Sequence, residues 1–325
     1  MNVSPYGVGI DIGGTAIKIA LVSADGSLAR STQVPTQAEA GPAAAVPRIV
    51  AAVGELVREA GLPPGALRVA GIASAGIIDF EHHVVLDAPN LRGWQDHPLA
   101  ERVGDALGLA YHLENDVNAM AYGEWRCGAG RGARHLLCLT LGTGVGGGLI
   151  LDGALYHGAG GAAGEVGHIT LNRDGPPCPC GSTGCLERYV GSRYIVERAE
   201  ELLRRDPRPS RLRVTPPAPL SPRGIAAAAT QGDALAREVL AETGRWLGVG
   251  LASLANVLNP ERIVVGGGVA AAGEWILEPA RATLRERAMK VPGAIAAVVP
   301  AALGNQAAVV GAALLGLARV EGERA

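Results

Sequence analysis

The sequence predicts an α/β protein with two domains. Strand and helix patterns alternate along the chain, which is typical of sheets covered by helices. A strand, a glycine-rich turn and a second strand occur near the N-terminus and occur again around residue 144, so the same arrangement appears twice. The length of 325 residues also exceeds what one hydrophobic core usually organises.

The repeated arrangement is read from β-branched runs on either side of glycines. In the first copy, Val8–Ile12 and Ile17–Val22 are joined by Gly13–Gly14–Thr15, which predicts a hairpin, and Asp25–Gly26 marks the next turn. The second copy has strands over 136–141 and 147–151, with a glycine-rich turn between them and Asp152–Gly153 after them.

The other elements follow from periodicity and from residues that begin or end helices. In chain order they are a helix over 43–60, a strand over 69–73, a helix over 118–126 that begins at the Asn115–Asp116 corner, a proline-rich surface loop over 204–223, a helix over 234–258 and a buried strand over 262–265. The uncharged segment 294–318 is interrupted by Pro300 and Gly304, and 307–317 is predicted to be a helix buried between the domains. We therefore expect no membrane-spanning segment.

Charge and cysteine use limit the classes of partner. A net charge of -2 and a pI of about 6.4 leave no broad basic surface for nucleic acid or for an anionic membrane. The N-terminus lacks the positively charged region that begins a signal peptide. Three of the five cysteines lie close together, as metal ligands do, and this use of thiols fits a reducing cytoplasm.

That cluster consists of residue types that bind zinc. His168, Cys178, Cys180 and Cys185 lie close in sequence, and the glycines between the cysteines favour a tight loop. Four protein ligands complete a tetrahedral structural Zn²⁺ site and leave no position for a reactive water. The alternative interpretation is ordinary buried thiols beside a surface histidine.

The two glycine-rich turns match neither common nucleotide motif. There is no GKS or GKT of a P-loop, and GTGVGG over 142–147 continues into a strand where a dinucleotide fingerprint requires a helix. Both turns nevertheless allow close backbone approach to a polyphosphate and carry a hydroxyl, on Thr15 and on Thr143. Each turn taken alone is equally consistent with a tight hairpin that binds nothing.

Five motifs in order resemble the ROK family of sugar kinases and sugar-responsive repressors, and within it the bacterial glucokinases. They are DIGGT from Asp11, ENDVNAMAYGE from Glu114, LGTGVGGG from Leu141, GEVGH from Gly164 and CPCGSTGCLE from Cys178. The resemblance implies the actin-like, ribonuclease H-like ATPase fold, with two α/β domains and a cleft between them. It implies a smaller N-terminal domain over 1–117, completed by a C-terminal helix over 306–319, and a larger domain over 118–305 that carries the zinc site.

The resemblance implies ATP-dependent phosphorylation of a hexose at its 6-hydroxyl, with glucose favoured. N-acetylglucosamine, N-acetylmannosamine, mannose and fructose remain alternative substrates. A sugar-sensing repressor is the rival from another class, but DIGGT begins at Asp11 and leaves no room for a preceding DNA-binding module. A phosphate-binding scaffold without catalysis is a third alternative, which the intact Asp116 disfavours. Relatives often form dimers or tetramers, so a homo-oligomer is expected.

The family roles fall on particular positions of this chain. Asp116 is the expected general base, and the competing interpretation is that it only caps the following helix. Asp11 is expected to orient Mg²⁺, through water, on the phosphates of ATP. The expected phosphate and adenosine contacts are Gly13, Gly14, Thr15, Thr143, Gly144, Gly267 and Gly268.

The sugar is expected to meet side chains from several of the motifs. The expected sugar-binding residues are Gly76, Asn90, Asn115, Asp116, Glu165, His168 and Glu187. His168 has a double role in this picture, with one ring nitrogen on zinc and the other facing the sugar. Gly76 follows Ala75 where the family often has proline, so the loop at Gly76 is expected to be less rigid.

Overall fold

Strands and helices alternate along most of the chain. The structure is a computed structural model that describes residues 4–88, 91, 93–213 and 219–322. Its strands are β1 (Tyr6–Ile12), β2 (Ala16–Ser23), β3 (Leu28–Pro35), β4 (Leu67–Ser74), β5 (Ile77–Asp79), β6 (Val84–Asp87), β7 (Ala110–Asn115), β8 (Leu136–Leu141), β9 (Val145–Leu151), β10 (Ala154–Leu155), β11 (Arg262–Gly266) and β12 (Ala297–Pro300). Its α-helices are α1 (Pro42–Ala60), α2 (Leu99–Leu107), α3 (Asp116–Cys127), α4 (Glu187–Val190), α5 (Ser192–Arg205), α6 (Pro222–Thr230), α7 (Ala234–Leu258), α8 (Glu274–Arg287), α9 (Lys290–Ile295) and α10 (Ala307–Glu321).

Two compact units make up the fold. Unit 1 comprises Met1–Arg134, Gly148–Ala163 and Ala302–Ala325, and unit 2 comprises His135–Gly147 and Gly164–Ala301. The helix α3 belongs to unit 1 because it packs against α10. The domain limits expected from the sequence, 1–117 with 306–319 and 118–305, stay a prediction.

The sheet of unit 1 has the order β3-β2-β1-β4-β7, in which β1, β4 and β7 are parallel. Side chains alternate between the two faces of a strand. In β1, Val8, Ile10 and Ile12 are therefore on one face and join the hydrophobic core that includes residues of α1 and α2. The opposite face of β1 carries Gly7, Gly9 and Asp11. Because β1, β4 and β7 run in the same direction, their carboxyl ends meet at one edge of the sheet.

Glycines bring α10 into close contact with both of its neighbours. A Cβ atom on Gly9 of β1 would lie 1.8 Å from the Val309 carbonyl oxygen, and one on Gly311 would lie 1.7 Å from the Ala119 carbonyl oxygen in α3. Small residues alone allow this approach. The sequence predicted this helix to lie between domains, but α10 is buried inside unit 1, between the sheet and α3. Its packing therefore holds the helix that begins at Asp116.

Unit 2 is organised around parallel strands and the long helix α7. The second sheet has the order β10-β9-β8-β11-β12, with β8, β11 and β12 parallel, and the boundary between the units falls inside β9. The helix α7 begins where the Asp233 side chain accepts a hydrogen bond from Ala236 N–H, and it ends at Asn259, whose φ is 46°. Glycine-rich segments follow β8 and β11 at the same edge of the sheet.

No α-helix among the described residues is long and apolar enough to cross a bilayer.

The predicted elements over 43–60, 118–126, 234–258 and 262–265 are confirmed as α1, α3, α7 and β11, with small shifts at their ends. Of the predicted loop over 204–223, residues 214–218 lie outside the described part of the chain.

Candidate active site

Asp11 lies at the carboxyl end of β1 and forms an ion pair with Lys18. The two residues are cross-strand partners in the β1–β2 hairpin, and Lys18 Nζ lies 3.0 Å from Asp11 Oδ2. Asp11 is buried, with 8% of its surface exposed, whereas 38% of the Lys18 side chain is exposed. This pair gives the edge of the sheet a carboxylate and an ammonium group that faces solvent.

The turn between β1 and β2 is fixed at its base and open at its tip. Gly13 N–H donates to the Ala16 carbonyl oxygen at 3.1 Å, and the buried Thr36 Oγ1 donates to the Gly13 carbonyl oxygen at 2.6 Å. Gly14 and Thr15 are exposed at the tip. An exposed glycine turn of defined shape can present backbone N–H groups to an anion.

Asn115, the last residue of β7, caps α3. Its Oδ1 accepts hydrogen bonds from Val117 N–H at 2.8 Å and Asn118 N–H at 3.1 Å. Its Nδ2 donates to the Gly76 carbonyl oxygen at 2.9 Å, and Gly76 itself has a φ of 108° that favours glycine. Asn115 therefore does the capping that was the competing explanation for Asp116, and it also fixes the loop that follows β4.

Asp116, the first residue of α3, has a carboxyl with a raised pKa. Burial raises the pKa of its carboxyl, and the nearby Asp11 carboxylate raises it further, to about 6, although a hydrogen bond from Val117 N–H opposes the shift. A carboxylate that is costly to ionise is a stronger proton acceptor, and this pKa lies near the pH at which such a base works well.

The glycine segments of unit 2 lie at the carboxyl ends of two neighbouring parallel strands. After β8, Gly142 N–H donates to the Gly144 carbonyl oxygen at 2.9 Å, which leaves Thr143 exposed at the tip of the turn. After β11, Gly267 has a φ of 90°, and a Cβ there would lie 2.4 Å from the Leu141 carbonyl oxygen. Gly268 faces open space. Ligands of α/β sheets bind at such carboxyl edges.

Glu187 connects this glycine turn to the cysteine cluster. Its Oε2 accepts a hydrogen bond from Val145 N–H at 3.0 Å, and a Cβ on Gly144 would lie 2.5 Å from the same oxygen. Glu187 opens α4, two residues after Cys185. The residue expected to bind sugar thus also holds the turn expected to bind phosphate.

The four expected metal ligands converge in unit 2. One ligand atom from each of His168, Cys178, Cys180 and Cys185 lies within 4.8 Å of the other three. His168 Nδ1 lies 3.7 Å from Cys178 Sγ, and Cys180 Sγ lies 3.7 Å from Cys185 Sγ. A Zn–S bond of about 2.3 Å gives a tetrahedron with edges of about 3.8 Å, so these distances suit zinc.

Backbone pairing and thiol chemistry both support that fit. An antiparallel bridge between Thr170 and Cys185 brings the segment after His168 alongside the last cysteine. The three cysteines of the cluster carry thiols and form no disulfide. Burial and the neighbouring thiols raise the pKa of Cys185 to about 12, so a cation is needed before all three thiols can ionise together.

The two ring nitrogens of His168 face different neighbours. Nδ1 faces the thiols, and Nε2 lies 3.9 Å from Glu165 Oε2. Glu165 is well exposed, with 58% of its side chain accessible, and His168 shows 34%. The two side chains therefore form an accessible polar edge beside the cysteine cluster.

Within each unit, the structure brings most of the sequence-predicted residues together. In unit 1, Asp11, Gly76, Asn115 and Asp116 follow or end the parallel strands, and Gly13, Gly14 and Thr15 form the adjoining turn. In unit 2, Thr143, Gly144, Gly267, Gly268 and Glu187 lie at one sheet edge, and His168 joins the cysteines. Asn90 lies outside the described residues.

Sequence reasoning missed Lys18, Thr36 and the Val145 N–H. The signal for Lys18 was present, because a turn centred on Gly14 and Thr15 places residue 18 opposite residue 11. The other two carried no sequence signal, since their partners are distant in the chain.

Comparison with known proteins agrees with this architecture. The model of the ROK family matches residues 7–319. A glucokinase of Streptomyces coelicolor is 38% identical over 315 residues, which cover 94% of this chain and 96% of the relative.

Solved structures extend the comparison. A ROK family glucokinase of Streptomyces griseus, crystallised with glucose and AMPPNP, is 37% identical with a TM-score of 0.82, over 96% of this chain and 99% of that one. A ROK family transcriptional regulator, described as a homologue of the E. coli MLC protein, is 27% identical with a TM-score of 0.86, over 99% of this chain and 80% of that one. These matches confirm the α/β, actin-like fold class predicted from the sequence.

Proposed function

The chain belongs to the ROK family, and from that premise we propose that it transfers the γ-phosphoryl group of ATP to the 6-hydroxyl of a hexose, with glucose as the preferred substrate. The observation that carries the proposal is Asp116, the first residue of α3, whose carboxylate has a raised pKa and lies near Asp11. The first turn of this helix is capped by Asn115. The glucose and AMPPNP bound by the Streptomyces griseus relative support the choice of both substrates.

Asp116 accepts the proton of the attacking hydroxyl. The sugar oxygen attacks the γ-phosphorus, the bond from that phosphorus to the bridging oxygen breaks, and ADP leaves with the bridging electron pair. The proton passes to the Asp116 carboxylate and then to solvent. Because burial disfavours the charged form of Asp116, proton uptake by this residue is favourable.

Charge at the sheet edge of unit 1 fits a magnesium–nucleotide complex. Asp11 is the carboxylate that would hold Mg²⁺ through water, and the bound ion would neutralise charge on the phosphates. Lys18 adds a positive group next to Asp11. Gly13, Gly14, Thr15, Thr143 and Gly144 are assigned to the phosphates, and Gly267 and Gly268 to the adenosine.

The residues assigned to the sugar are Gly76, Asn90, Asn115, Asp116, Glu165, His168 and Glu187. All except Gly76 carry a polar side chain that forms hydrogen bonds in fixed directions. Amide and carboxylate groups reject a sugar that lacks the matching hydroxyl, because a buried partner is then left unpaired. Asn115 holds the Gly76 carbonyl through one N–H of its amide, so the loop after β4 is held in place despite Ala75.

We assign a structural Zn²⁺ to His168, Cys178, Cys180 and Cys185. The distances between their ligand atoms suit a tetrahedral ion, and four protein ligands leave no position for a reactive water. The ion would fix the loop that ends at Glu187 and the ring of His168. Its role is therefore to order the sugar side of the site rather than to take part in phosphoryl transfer.

A hexose panel at fixed Mg-ATP tests the proposal. Release of ADP is followed with glucose, mannose, fructose, N-acetylglucosamine and N-acetylmannosamine, and kcat/KM is compared among them. The largest kcat/KM with glucose supports the full proposal, and the largest value with another sugar keeps the kinase and changes the substrate. No ADP release with any of them contradicts a hexose kinase.

The setting proposed for this activity is the cytoplasm, with the chain in a homo-oligomer. ATP is the phosphoryl donor, and Cys127, Cys178, Cys180 and Cys185 are thiols, which suits a reducing compartment. Val257, Met289 and Val291 of unit 2 are 81%, 68% and 63% exposed, and Met289 N–H donates to Asn256 Oδ1 beside Val257. A dimer or tetramer that covers these side chains would be seen as a doubled or fourfold mass by light scattering.

A further inference from the structure

A buried carboxylate lies directly before the two catalytic-site residues of β7 and α3. Glu114 has none of its surface exposed. Its Oε1 accepts hydrogen bonds from Asn115 N–H and from Asn118 Nδ2, both at 3.0 Å. Asn115 and Asn118 flank Asp116 in the chain, so one carboxylate oxygen holds both sides of the turn that carries the proposed base.

The other oxygen of Glu114 meets a histidine from a distant segment. His157 Nε2 lies 2.9 Å from Glu114 Oε2, and 21% of the His157 side chain is exposed. His112 Nε2 lies 3.6 Å from the same oxygen, which is too long for a hydrogen bond, and this nitrogen has no hydrogen-bond partner in the part of the chain that the structure describes. Among the described residues, His157 is therefore the group that hydrogen-bonds this side of the carboxylate.

The carboxyl of Glu114 stays ionised at working pH. Burial raises its pKa, but the nearby imidazoles of His112 and His157 outweigh burial and hold the pKa at about 2. An ionised carboxylate can only accept hydrogen bonds, so His157 Nε2 carries the proton between them. A buried carboxylate that loses such a partner is strongly disfavoured.

His157 is itself held by its surroundings in unit 1. Its ring meets the Phe80 ring edge to face, with the ring centres 4.6 Å apart. Its carbonyl oxygen accepts from Ala163 N–H at 3.0 Å, which closes the loop between them. This loop runs on, two residues later, to Glu165 of the proposed sugar-binding segment. His157 thus joins that loop to the strand end that precedes Asp116.

We propose that His157 is a positioning residue, which acts through Glu114 to hold the first turn of α3 and so fixes the Asp116 carboxylate for proton transfer. This inference rests on the proposed kinase function. Neither His157 nor Glu114 touches the reacting atoms in this scheme. Their effect is on kcat, because a displaced base slows the chemical step while the sugar and nucleotide contacts remain.

The test compares kcat and KM in a set of variants of the full chain. His157→Leu removes the hydrogen bond to Glu114 Oε2 and leaves His112, 3.6 Å away, as the remaining imidazole beside that oxygen. We expect kcat to fall at least about tenfold, with KM for glucose and for ATP within about threefold of the original. Adding Glu114→Gln removes the buried charge that has lost this hydrogen bond, and kcat is expected to return to within about threefold. His82→Gln removes an exposed histidine–carboxylate pair with Asp79, and it is expected to leave kcat unchanged.

Two results would overturn the inference. One is a kcat of His157→Leu within twofold of the original chain, and the other is a loss of kcat that Glu114→Gln does not reverse. If His157→Leu does not fold, the same comparison is made between His157→Gln and the double variant with Glu114→Gln. An inactive original chain would instead contradict the proposed function, so the two failures are distinct.

Discussion

The Glu187 carboxylate accepts a hydrogen bond from Val145 N–H at 3.0 Å, and so joins the loop of the cysteine cluster to the glycine turn after β8. A bond from an N–H group to a charged acceptor is stronger than one between neutral groups. Glu187 therefore has two roles in the proposed site. Its Oε1 can accept a hydrogen bond from a sugar hydroxyl while its Oε2 holds the glycine turn after β8.

Glu187→Gln is expected to raise KM for both glucose and ATP. The neutral amide weakens the bond to Val145 N–H and the bond to the sugar, each by about 1–2 kcal/mol, which corresponds to roughly fivefold to thirtyfold in KM. Steady-state kinetics with each substrate varied in turn measures the two effects. The control is Glu197→Gln, which neutralises an exposed carboxylate paired with Arg193 on α5. A rise in KM for glucose alone would show that the Val145 bond does not hold the turn.

Cys180→Ser is expected to release the metal and loosen the site. Loss of one of four ligands lowers zinc affinity, and the loop that leads to Glu187 then loses its brace. Zinc content by elemental analysis is expected to fall well below one ion per chain, with a lower melting temperature and a higher KM for glucose. Cys127→Ser, a thiol outside the cluster, is the matched control. A full zinc complement in Cys180→Ser would refute the ligand set.

Asp116→Asn is expected to be more stable than the original chain at neutral pH. The folded-state pKa of Asp116, about 6, lies above the ordinary 3.8, so its favourable contribution is present below pH 3.8 and is lost as the pH rises through 6. Asparagine avoids the cost of ionisation, which amounts to roughly 1–3 kcal/mol. Urea unfolding at low and at neutral pH measures the difference. A stability gap that does not widen between the two pH values would contradict the raised pKa.

Gly311→Ala is expected to destabilise unit 1. The added Cβ would lie 1.7 Å from the Ala119 carbonyl oxygen of α3, so α10 and α3 must separate, at a cost of about 1–3 kcal/mol or more. Gly54→Ala is the control, because that glycine lies in α1 with open space around it, and alanine there is expected to stabilise by about 0.5–1 kcal/mol. Denaturant midpoints compare them. Equal midpoints for both variants would show that α10 does not pack as described.

Local sequence patterns were enough to predict the parts of the site that lie close together in the chain. The β1–β2 hairpin, the helix that starts at the Asn115–Asp116 corner and the cysteine cluster each depend on neighbours within about twenty residues. Periodicity, turn residues and ligand spacing record such neighbours directly.

Contacts between distant segments could not be predicted in this way. The bond from Val145 to Glu187 joins residues 42 apart, and the pair of Glu114 and His157 joins residues 43 apart. Each depends on how loops meet after the sheets have formed. The capping of α3 is an intermediate case, because Asn115 and Asp116 are adjacent and are both good helix caps. Only the structure shows that Asn115 is the cap and accepts from both Val117 N–H and Asn118 N–H, whereas Asp116 accepts from Val117 N–H alone.

The kinetics of Asp116→Asn with binding measured alongside test the central claim most directly. If Asp116 takes the proton of the sugar hydroxyl, kcat falls by about 10²-fold to 10⁴-fold while the Kd for glucose, from calorimetry, stays within a few-fold. Equal losses in kcat and in glucose affinity, or an unchanged kcat, would contradict the role of this carboxylate as the general base.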